Sequence, residues 1–308
     1  MADSLWAWFA SPWALGLIGL VVGSFLNVVV YRLPRMMARG DWGEVAGYLG
    51  DGEGWRQTFG ADAPKEAGAL AQRIEGQLAA LARFNLAFPG SACPHCNRAI
   101  AWHENVPLLG WLRLKGRCAG CAAPISVRYP LVELLTGVLF ALAGWRFGAT
   151  PTALLWCGVL AVLVTLSAID WDTTLLPDVL NQPLLWAGLV AAALGWSGVP
   201  LASALWGAVA GFLALWSVYW LFKLVTGKEG MGAGDFKLLA ALGAWLGWPA
   251  LLPIILASSI VGTVVGLGLK FSGGLREGGY VPFGPFLAGG GIAVMLLGTG
   301  RVNAWLGL

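Results

Sequence analysis

Gly232-Ala233-Gly234-Asp235 and Ile169-Asp170 are the two stretches that decide how this chain folds. Each places a carboxylate where a long apolar run begins or ends, and an ionisable group at a membrane boundary is costly, so a function is the first hypothesis. The 308 residues are 58% hydrophobic and 11% charged, whereas soluble domains carry about 25% charged residues. The composition therefore predicts an integral membrane protein, with membrane lipid and no nucleic acid among its partners.

Eight apolar runs follow one another along the chain, and each predicts a helix. The first covers residues 12–31, and a membrane crossing needs about 20 mostly apolar residues. No Lys or Arg precedes Arg32, so we expect a retained span here rather than a cleaved leader. The other runs are 131–146, 152–169, 184–197, 200–222, 238–248, 251–269 and 283–300. The predicted fold class is an all-α polytopic membrane protein with about eight transmembrane helices.

Residues 32–129 interrupt the apolar pattern and hold 12 of the 19 Lys and Arg residues. They are too polar to cross a bilayer, which predicts a soluble insert between helices 1 and 2. Arg32-Leu33-Pro34-Arg35 is expected to end the first helix, and the Gly-rich segment 40–64 is expected to be loop or partly disordered. Residues 67–84 have helical periodicity. The predicted domains are 1–31, the first transmembrane helix; 32–129, the insert; and 130–308, a seven-helix membrane domain.

The distribution of basic residues predicts the orientation. Lys and Arg collect on the cytoplasmic side of membrane proteins, which places the insert in the cytoplasm and the N-terminus outside. Alternating through the later helices puts the connections 170–183, 223–237 and 270–282 in the cytoplasm as well. Asp170 and Asp235 then reach the same face of the membrane, although 64 residues lie between them.

Four of the five cysteines form two C-x-x-C pairs with 21 residues between the pairs: Cys93, Cys96, Cys118 and Cys121. This spacing is typical of a tetrahedral thiolate zinc site. A small insert with few large apolar residues also needs a metal ion or a similar cross-link to stabilise its fold. A redox pair or unligated thiols are the alternative, although a reducing cytoplasm disfavours disulfides. A site in which His95 or His103 replaces one of the cysteine ligands is a less favoured alternative. Cys157 lies in an apolar run and is expected to be buried.

Two carboxylates that share one proton can hydrolyse a peptide bond. The ionised group activates water, and the protonated group donates to the carbonyl oxygen. We expect Asp170 and Asp235 to be this catalytic pair. The alternatives are a helix cap or an interfacial charge for Asp170, and an N-cap for Asp235.

The neighbouring residues are expected to support the pair. Gly232 and Gly234 would let the backbone approach a substrate or a partner helix closely. Asp172 and Asp178 are accessory candidates beside Asp170. Glu133 is expected to make an interfacial contact or a contact with the zinc-binding insert.

Three features together resemble the type IV prepilin peptidases, the bifunctional leader peptidases and N-methyltransferases of pilus and type II secretion systems. The resemblance covers nearly the whole chain, although segment 40–64 looks longer or more divergent than usual. The similar features are Gly23-Ser24-Phe25-Leu26-Asn27-Val28-Val29-Val30-Tyr31-Arg32-Leu33-Pro34, the paired cysteines, and the aspartate motifs at 169–178 and 232–237.

The resemblance implies an aspartic endopeptidase with no metal at the peptidase site, working at the cytoplasmic face of the bacterial inner membrane. Asp170 and Asp235 would be its catalytic residues, and prepilins or pseudopilins its substrates. It also implies S-adenosylmethionine as the donor that methylates the new N-terminus. The sequence has no glycine-rich cofactor fingerprint, so we expect the donor to bind at the insert and its zinc module. The oligomeric state stays open.

Two other functions compete with this one. Asp170-Trp171-Asp172 could hold Mg²⁺ in a membrane transferase that acts on a lipid phosphate. Alternatively, the chain could be a non-enzymatic membrane anchor whose zinc module binds a partner. Dependence of the main activity on magnesium would favour the first, and loss of function on an isosteric Asp→Asn change would argue against the second.

Overall fold

The computed structural model describes residues 11–274 and 281–307. Within them, regular secondary structure is helical, and β-pairing is limited to two isolated β-bridges in the insert. The α-helices are α1 (Pro12–Gly50), α2 (Gly52–Phe59), α3 (Lys65–Ala80), α4 (Leu109–Arg113), α5 (Arg128–Phe147), α6 (Pro151–Thr173), α7 (Asp178–Ala193), α8 (Leu201–Thr226), α9 (Ala233–Leu246), α10 (Leu251–Phe271), α11 (Gly284–Leu297) and α12 (Thr299–Leu306).

Each of the eight apolar runs contains a helix, but not each helix is a complete membrane crossing. Five of the described helices are long and apolar enough to cross, namely α1, α5, α6, α8 and α10 with its preceding turn. A sixth crossing results if α11 and α12, which are bent by 103° at their junction, count as one span. α7 and α9 have 16 and 14 residues, and at about 1.5 Å per residue they are shorter than a hydrocarbon core of about 30 Å. The expected number of eight spans is therefore not confirmed, whereas the all-helical membrane architecture is.

The first helix is longer than the sequence predicts. α1 continues through Pro34 and ends only at Gly50, so the expected stop at Arg32-Leu33-Pro34-Arg35 is wrong. The expectation of a loop at 40–64 is wrong as well, because the end of α1 and the whole of α2 lie there. Proline removes one helical hydrogen bond, but the part of α1 beyond it packs against α3, and this tertiary contact outweighs the local stop signal. α3 confirms the helical periodicity of 67–84 and ends at Ala80.

α9 is the most enclosed helix of the bundle, with ten of its 14 residues buried. It packs against α7, α8 and α11. A Cβ atom at Gly207 of α8 would lie 2.2 Å from the carbonyl oxygen of Gly243, so these two helices cross in direct backbone contact. The indole of Trp245 donates to the carbonyl oxygen of Leu184 on α7 at 2.8 Å. These contacts fix the position of α9, and with it the first turn, which carries Asp235.

α8 and α10 lie at the outside of the bundle and expose large apolar side chains. Trp206, Leu213 and Leu221 of α8 are exposed, as are Ile260 and Val264 of α10. A soluble protein rarely exposes such continuous apolar surface. These helices are therefore suited to contact with membrane lipid.

Candidate active site and metal centre

Asp170 lies in the last turn of α6 and is only 4% exposed. Its Oδ2 accepts a hydrogen bond from the backbone N–H of Gly284, at 2.9 Å. The helix ends three residues later, where Thr174 adopts a left-handed conformation with φ of 56°. Asp170 is thus neither a helix N-cap nor an exposed interfacial charge. It is a buried carboxylate that connects the end of α6 to the start of α11.

Asp235 lies in the first turn of α9 and is 7% exposed. The N-cap of that helix is Gly232, whose carbonyl oxygen accepts the N–H of Asp235 at 3.2 Å. Asp235 is therefore not the N-cap residue but lies two residues after the first residue of the helix, with its carboxylate near the backbone N–H of Gly232. Its Oδ1 is buried and has no hydrogen-bond partner among the described residues. A buried carboxylate oxygen without a donor is a feature of functional sites rather than of stable cores.

The structure brings the two aspartates into one site. Asp170 and Asp235 lie close enough for their charges to interact, and the glycines beside them, Gly234 and Gly284, both approach the side chain of Leu176 in the α6–α7 connection. A Cβ atom at Gly234 would lie 2.6 Å from Leu176 Cβ. One at Gly284 would lie 2.6 Å from Asp170 Oδ2 and 3.1 Å from Leu176 Cδ1. Only glycine allows the chains to approach this closely.

The glycines of the GxGD stretch differ in what surrounds them. Gly234 is in close contact with Leu176, as just described, whereas a Cβ atom at Gly232 would meet only Asp235 Oδ2, at 4.0 Å. The close approach expected from both glycines therefore exists at Gly234 alone. The second close approach is at Gly284, which the sequence analysis did not identify. The signal that could have found it is the segment Pro282-Phe283-Gly284-Pro285, which begins an apolar helix.

Asp172 and Asp178 lie near the pair but face other partners. Asp172 forms an ion pair with Arg128 of α5, and Asp178 forms one with Lys237 of α9 at 2.6 Å. Both carboxylates are exposed, and exposed ion pairs contribute only about 0–1 kcal/mol to stability. Their geometry links α5 to α6 and α7 to α9.

Sequence reasoning missed a buried amide beside the pair. Asn181, in the first turn of α7, is 1% exposed, and its Nδ2 donates to the carbonyl oxygen of Gly234 at 3.3 Å. This bond attaches α7 to the backbone immediately before Asp235. No motif or spacing in the sequence distinguishes Asn181 from an ordinary polar residue at the start of a helix.

The four paired cysteines meet in the insert, and their Sγ atoms all lie within 4.8 Å of one another. The Sγ atoms of Cys93 and Cys121 are 3.8 Å apart, and those of Cys96 and Cys118 are 4.0 Å apart. Tetrahedral zinc with Zn–S bonds of about 2.3 Å requires sulfur atoms about 3.8 Å apart. The donor set and its spacing therefore fit zinc. Neither His95 nor His103 belongs to this group of four.

The two halves of the metal centre have the same local structure. The N–H of Cys93 bonds to the carbonyl oxygen of Arg98, and the N–H of Cys118 bonds to that of Ala123. Asn97 and Ala122, each four residues after the first cysteine of its pair, both adopt φ of 57°. In the second turn the backbone N–H of Gly120 donates to Cys118 Sγ at 3.4 Å. The N–H groups of Cys121 and Gly120 lower the pKa of Cys118 to about 6, whereas desolvation and the neighbouring thiols raise the pKa of Cys121 to about 11. Of these two, Cys118 is therefore the one that more readily becomes the thiolate that binds metal.

The insert is attached to the membrane helices through buried polar groups. Glu133 of α5 accepts the N–H of Leu108 at 2.8 Å, which confirms the expected contact between Glu133 and the insert. The guanidinium of Arg32 on α1 is buried and donates to the carbonyl oxygens of Asn85 and Pro89, at 2.8 and 2.6 Å. The metal centre is therefore held against α1 and α5, the helices on either side of it in the sequence.

Most of the chain is similar in sequence to known protein families. Residues 17–147 match the bacterial peptidase A24 N-terminal domain, and residues 157–267 match the type IV leader peptidase family. The chain is 46% identical over 282 residues to a prepilin leader peptidase/N-methyltransferase of Burkholderia pseudomallei, covering 92% of this chain and 84% of the relative. This chain belongs to the type IV leader peptidase family.

Other members of the family match over similar lengths. The prepilin leader peptidase/N-methyltransferase of Stutzerimonas stutzeri is 49% identical over 293 residues, and that of Pseudomonas aeruginosa is 48% identical over 295 residues. Each alignment covers 94% of this chain and 91% of the relative. No solved structure matches the chain. The match to the peptidase family includes Asp170 and Asp235, whereas Gly284 lies beyond it.

Proposed function

We propose that this protein removes the leader peptide of type IV prepilins or pseudopilins and then methylates the new N-terminal amine. The observation that carries the peptidase part is the buried Asp170–Asp235 pair, formed by helices that are far apart in the sequence. The names of the relatives support both activities. Neither the magnesium-dependent transferase nor the non-enzymatic anchor has comparable support.

The geometry suggests different roles for the two carboxylates. Asp170 accepts the N–H of Gly284, and such a bond favours the ionised form of a carboxylate. Asp235 has a buried oxygen without a donor, which favours the protonated form. Asp170 would therefore take a proton from the attacking water, while Asp235 donates its proton to the carbonyl oxygen of the scissile bond. The tetrahedral intermediate then collapses: Asp235 takes back a proton from one of its hydroxyl groups as the C=O bond re-forms, the C–N bond breaks, and the departing amine takes the proton from Asp170.

The arrangement suits a substrate with a short basic leader and an apolar helix. Such a helix lies in the bilayer and leaves its junction with the leader at the cytoplasmic surface, where positively charged segments are retained. The distribution of Lys and Arg puts the insert and both aspartates on that side, and the N-terminus in the periplasm. We therefore assign the protein to the bacterial inner membrane, with cleavage at its cytoplasmic face.

The metal centre has a structural role in this proposal. Cys93, Cys96, Cys118 and Cys121 would hold one Zn²⁺, which closes the insert into a fixed shape. The Asp170–Asp235 pair needs no metal for hydrolysis. S-adenosylmethionine, implied by the methyltransferase names, supplies an electrophilic methyl group when bound, and we place its binding at the insert. The new amine must be unprotonated to accept that methyl group.

The test is incubation of the purified full-length protein in detergent or lipid with a peptide that has a basic leader and an apolar helix. Mass analysis should show loss of the leader with or without S-adenosylmethionine, and one added methyl group only with it. A chelator that does not remove tightly bound zinc should leave cleavage unchanged. Absence of cleavage, or cleavage that needs added Mg²⁺, would contradict the proposal.

A further inference from the structure

Asn181 has a hydrogen-bonding arrangement that packing alone does not explain. It is 1% exposed, and its backbone N–H bonds to the carbonyl oxygen of Pro177 at 3.0 Å. The side-chain Nδ2 donates to the carbonyl oxygen of Gly234. The side-chain Oδ1, however, is buried and has no hydrogen-bond partner among the described residues. One half of the amide is thus used and the other half is an unpaired acceptor.

An unpaired buried acceptor destabilises a protein, because the group loses its bonds to water on folding. A leucine of similar size would fill the same place in the apolar surroundings of α7 and α9 without leaving an acceptor unpaired. Such a group at an enclosed position therefore needs an explanation other than stability. That explanation must involve a donor that is present during the reaction.

Asp235 presents the matching feature. Its Oδ1 is also buried without a partner, and it belongs to the residue that follows Gly234. Both unpaired acceptors therefore belong to side chains attached to one peptide unit, Asn181 through its bond to the Gly234 carbonyl oxygen and Asp235 covalently. In the proposed reaction Asp235 carries a proton before it donates to the substrate, and a protonated carboxyl group is a hydrogen-bond donor.

Among the described ionisable groups around Asp235, Asp170 can also accept its proton, as the partner with which Asp235 shares it. Asp170 is the second carboxylate of the pair, and Lys237 is engaged by Asp178. Tyr219 of α8 packs its ring on Phe236 and is bonded to Lys223 and Glu229. α11 contains no ionisable side chain, and Lys270 at the end of α10 is exposed.

We propose that Asn181 is a positioning residue for Asp235, fixing the backbone through Gly234 and giving the proton on Asp235 an acceptor that holds it ready for transfer. This inference rests on the proposed peptidase function. Loss of the acceptor would disfavour the protonated form of Asp235. The alkaline limb of the pH–rate profile would then move to lower pH, and kcat would fall while substrate binding stays nearly the same.

The test compares Asn181→Leu with Asn27→Leu in the full-length protein. Asn27 is a suitable control because its buried amide also donates to a backbone carbonyl oxygen, that of Tyr129 at 3.1 Å, but it lies between α1 and α5. We expect kcat of Asn181→Leu to fall about tenfold or more, KM to stay within about threefold, and the alkaline limb to shift. Asn27→Leu should lower thermal stability without changing the pH profile or kcat per folded molecule.

Asn181→Ser completes the test, since it keeps a small polar acceptor and should recover part of the lost kcat. The inference is overturned if Asn181→Leu keeps wild-type kcat and pH profile. It is equally overturned if kcat falls only in proportion to the folded fraction, or if serine recovers nothing. Failure of the wild-type protein to cleave would instead contradict the proposed function, so the two failures are distinguishable.

Discussion

The metal centre and the aspartate pair are two sites built in opposite ways. The four cysteines come from two short turns within residues 93–121, and three of them are at least partly exposed. The aspartate site is assembled from α6, α9 and α11, whose contributing residues run from Asp170 to Gly284, and its carboxylates are 4% and 7% exposed. One site depends on ligand chemistry over a short piece of chain. The other depends on how distant helices pack.

This difference implies that each site can be damaged without the other. Metal binding needs only the two turns and their thiolates, whereas the carboxylate pair needs glycine contacts between helices. The insert is held by α5 and α1, through Glu133 and Arg32, and not by the helices that carry Asp170 and Asp235. A substitution at the cysteines should therefore change the metal content with little effect on cleavage, and a substitution at the aspartate site should do the reverse.

Asp235→Asn should have the largest effect. The amide cannot act as an acid at neutral pH, so we expect cleavage to fall about 10³-fold or more, while the zinc content of the purified protein stays at one per chain. Cleavage of a leader-bearing peptide and metal analysis of the same sample check this. Turnover near that of the wild type would remove Asp235 from the catalytic pair.

Gly284→Ala should have the next largest effect. Its Cβ atom would lie 2.6 Å from Asp170 Oδ2, and a displacement of about 1 Å at a catalytic group can reduce the rate about 10²-fold. Gly289→Ala on the same helix is the matched control, since a Cβ atom there meets nothing within 4 Å. Equal cleavage rates for the two variants would show that the close approach at Gly284 has no catalytic importance.

Gly234 and Gly232 provide a smaller and sharper comparison within one motif. Gly234→Ala would place Cβ 2.6 Å from Leu176 Cβ, whereas Gly232→Ala has its nearest contact at 4.0 Å. We expect about a tenfold loss of kcat in the first variant and near wild-type cleavage in the second, measured with the same peptide. If cleavage were impaired in Gly232→Ala and not in Gly234→Ala, the close approach at Gly234 would not be what the reaction requires.

Cys118→Ser should act on the other site. The variant loses one of four thiolate ligands, so we expect loss of bound zinc and lower stability of the insert. Methylation should fall before cleavage does, with cleavage reduced only severalfold. Metal analysis, together with separate assays for leader loss and methyl addition, checks this order. Full methylation by metal-free protein would contradict the separation of roles.

Much of the fold could be predicted from sequence because its strongest signals are local. Each apolar run contains a helix, the cysteine spacing predicts the cluster, and the alternation of basic connections predicts that Asp170 and Asp235 share a face. The path of α1 beyond Pro34 could not be predicted in this way. Local chemistry indicates a helix end there, whereas packing of α1 on α3 decides the outcome.

The parts of the candidate site that sequence reasoning missed are those defined by contacts across the bundle. Gly284 matters because its N–H meets Asp170, which is 114 positions away in the sequence. Asn181 matters because its amide meets Gly234, which is 53 positions away. Asn181 carries no distinctive residue pattern, and the segment around Gly284 shows in sequence only that an apolar helix begins there. The expected count of eight spans is not confirmed for a related reason, since α7 and α9 have apolar sequences but only 16 and 14 residues.

The most direct test of the central claim is to compare cleavage rates of Asp170→Asn, Asp235→Asn and the double variant, with zinc content measured in each. Two carboxylates that share one proton act as a unit, so removing both should lower the rate no further than removing either. We predict equal residual rates in all three variants, with unchanged zinc. A double variant whose loss is the product of two independent losses, or a single variant with near-normal turnover, would contradict the account.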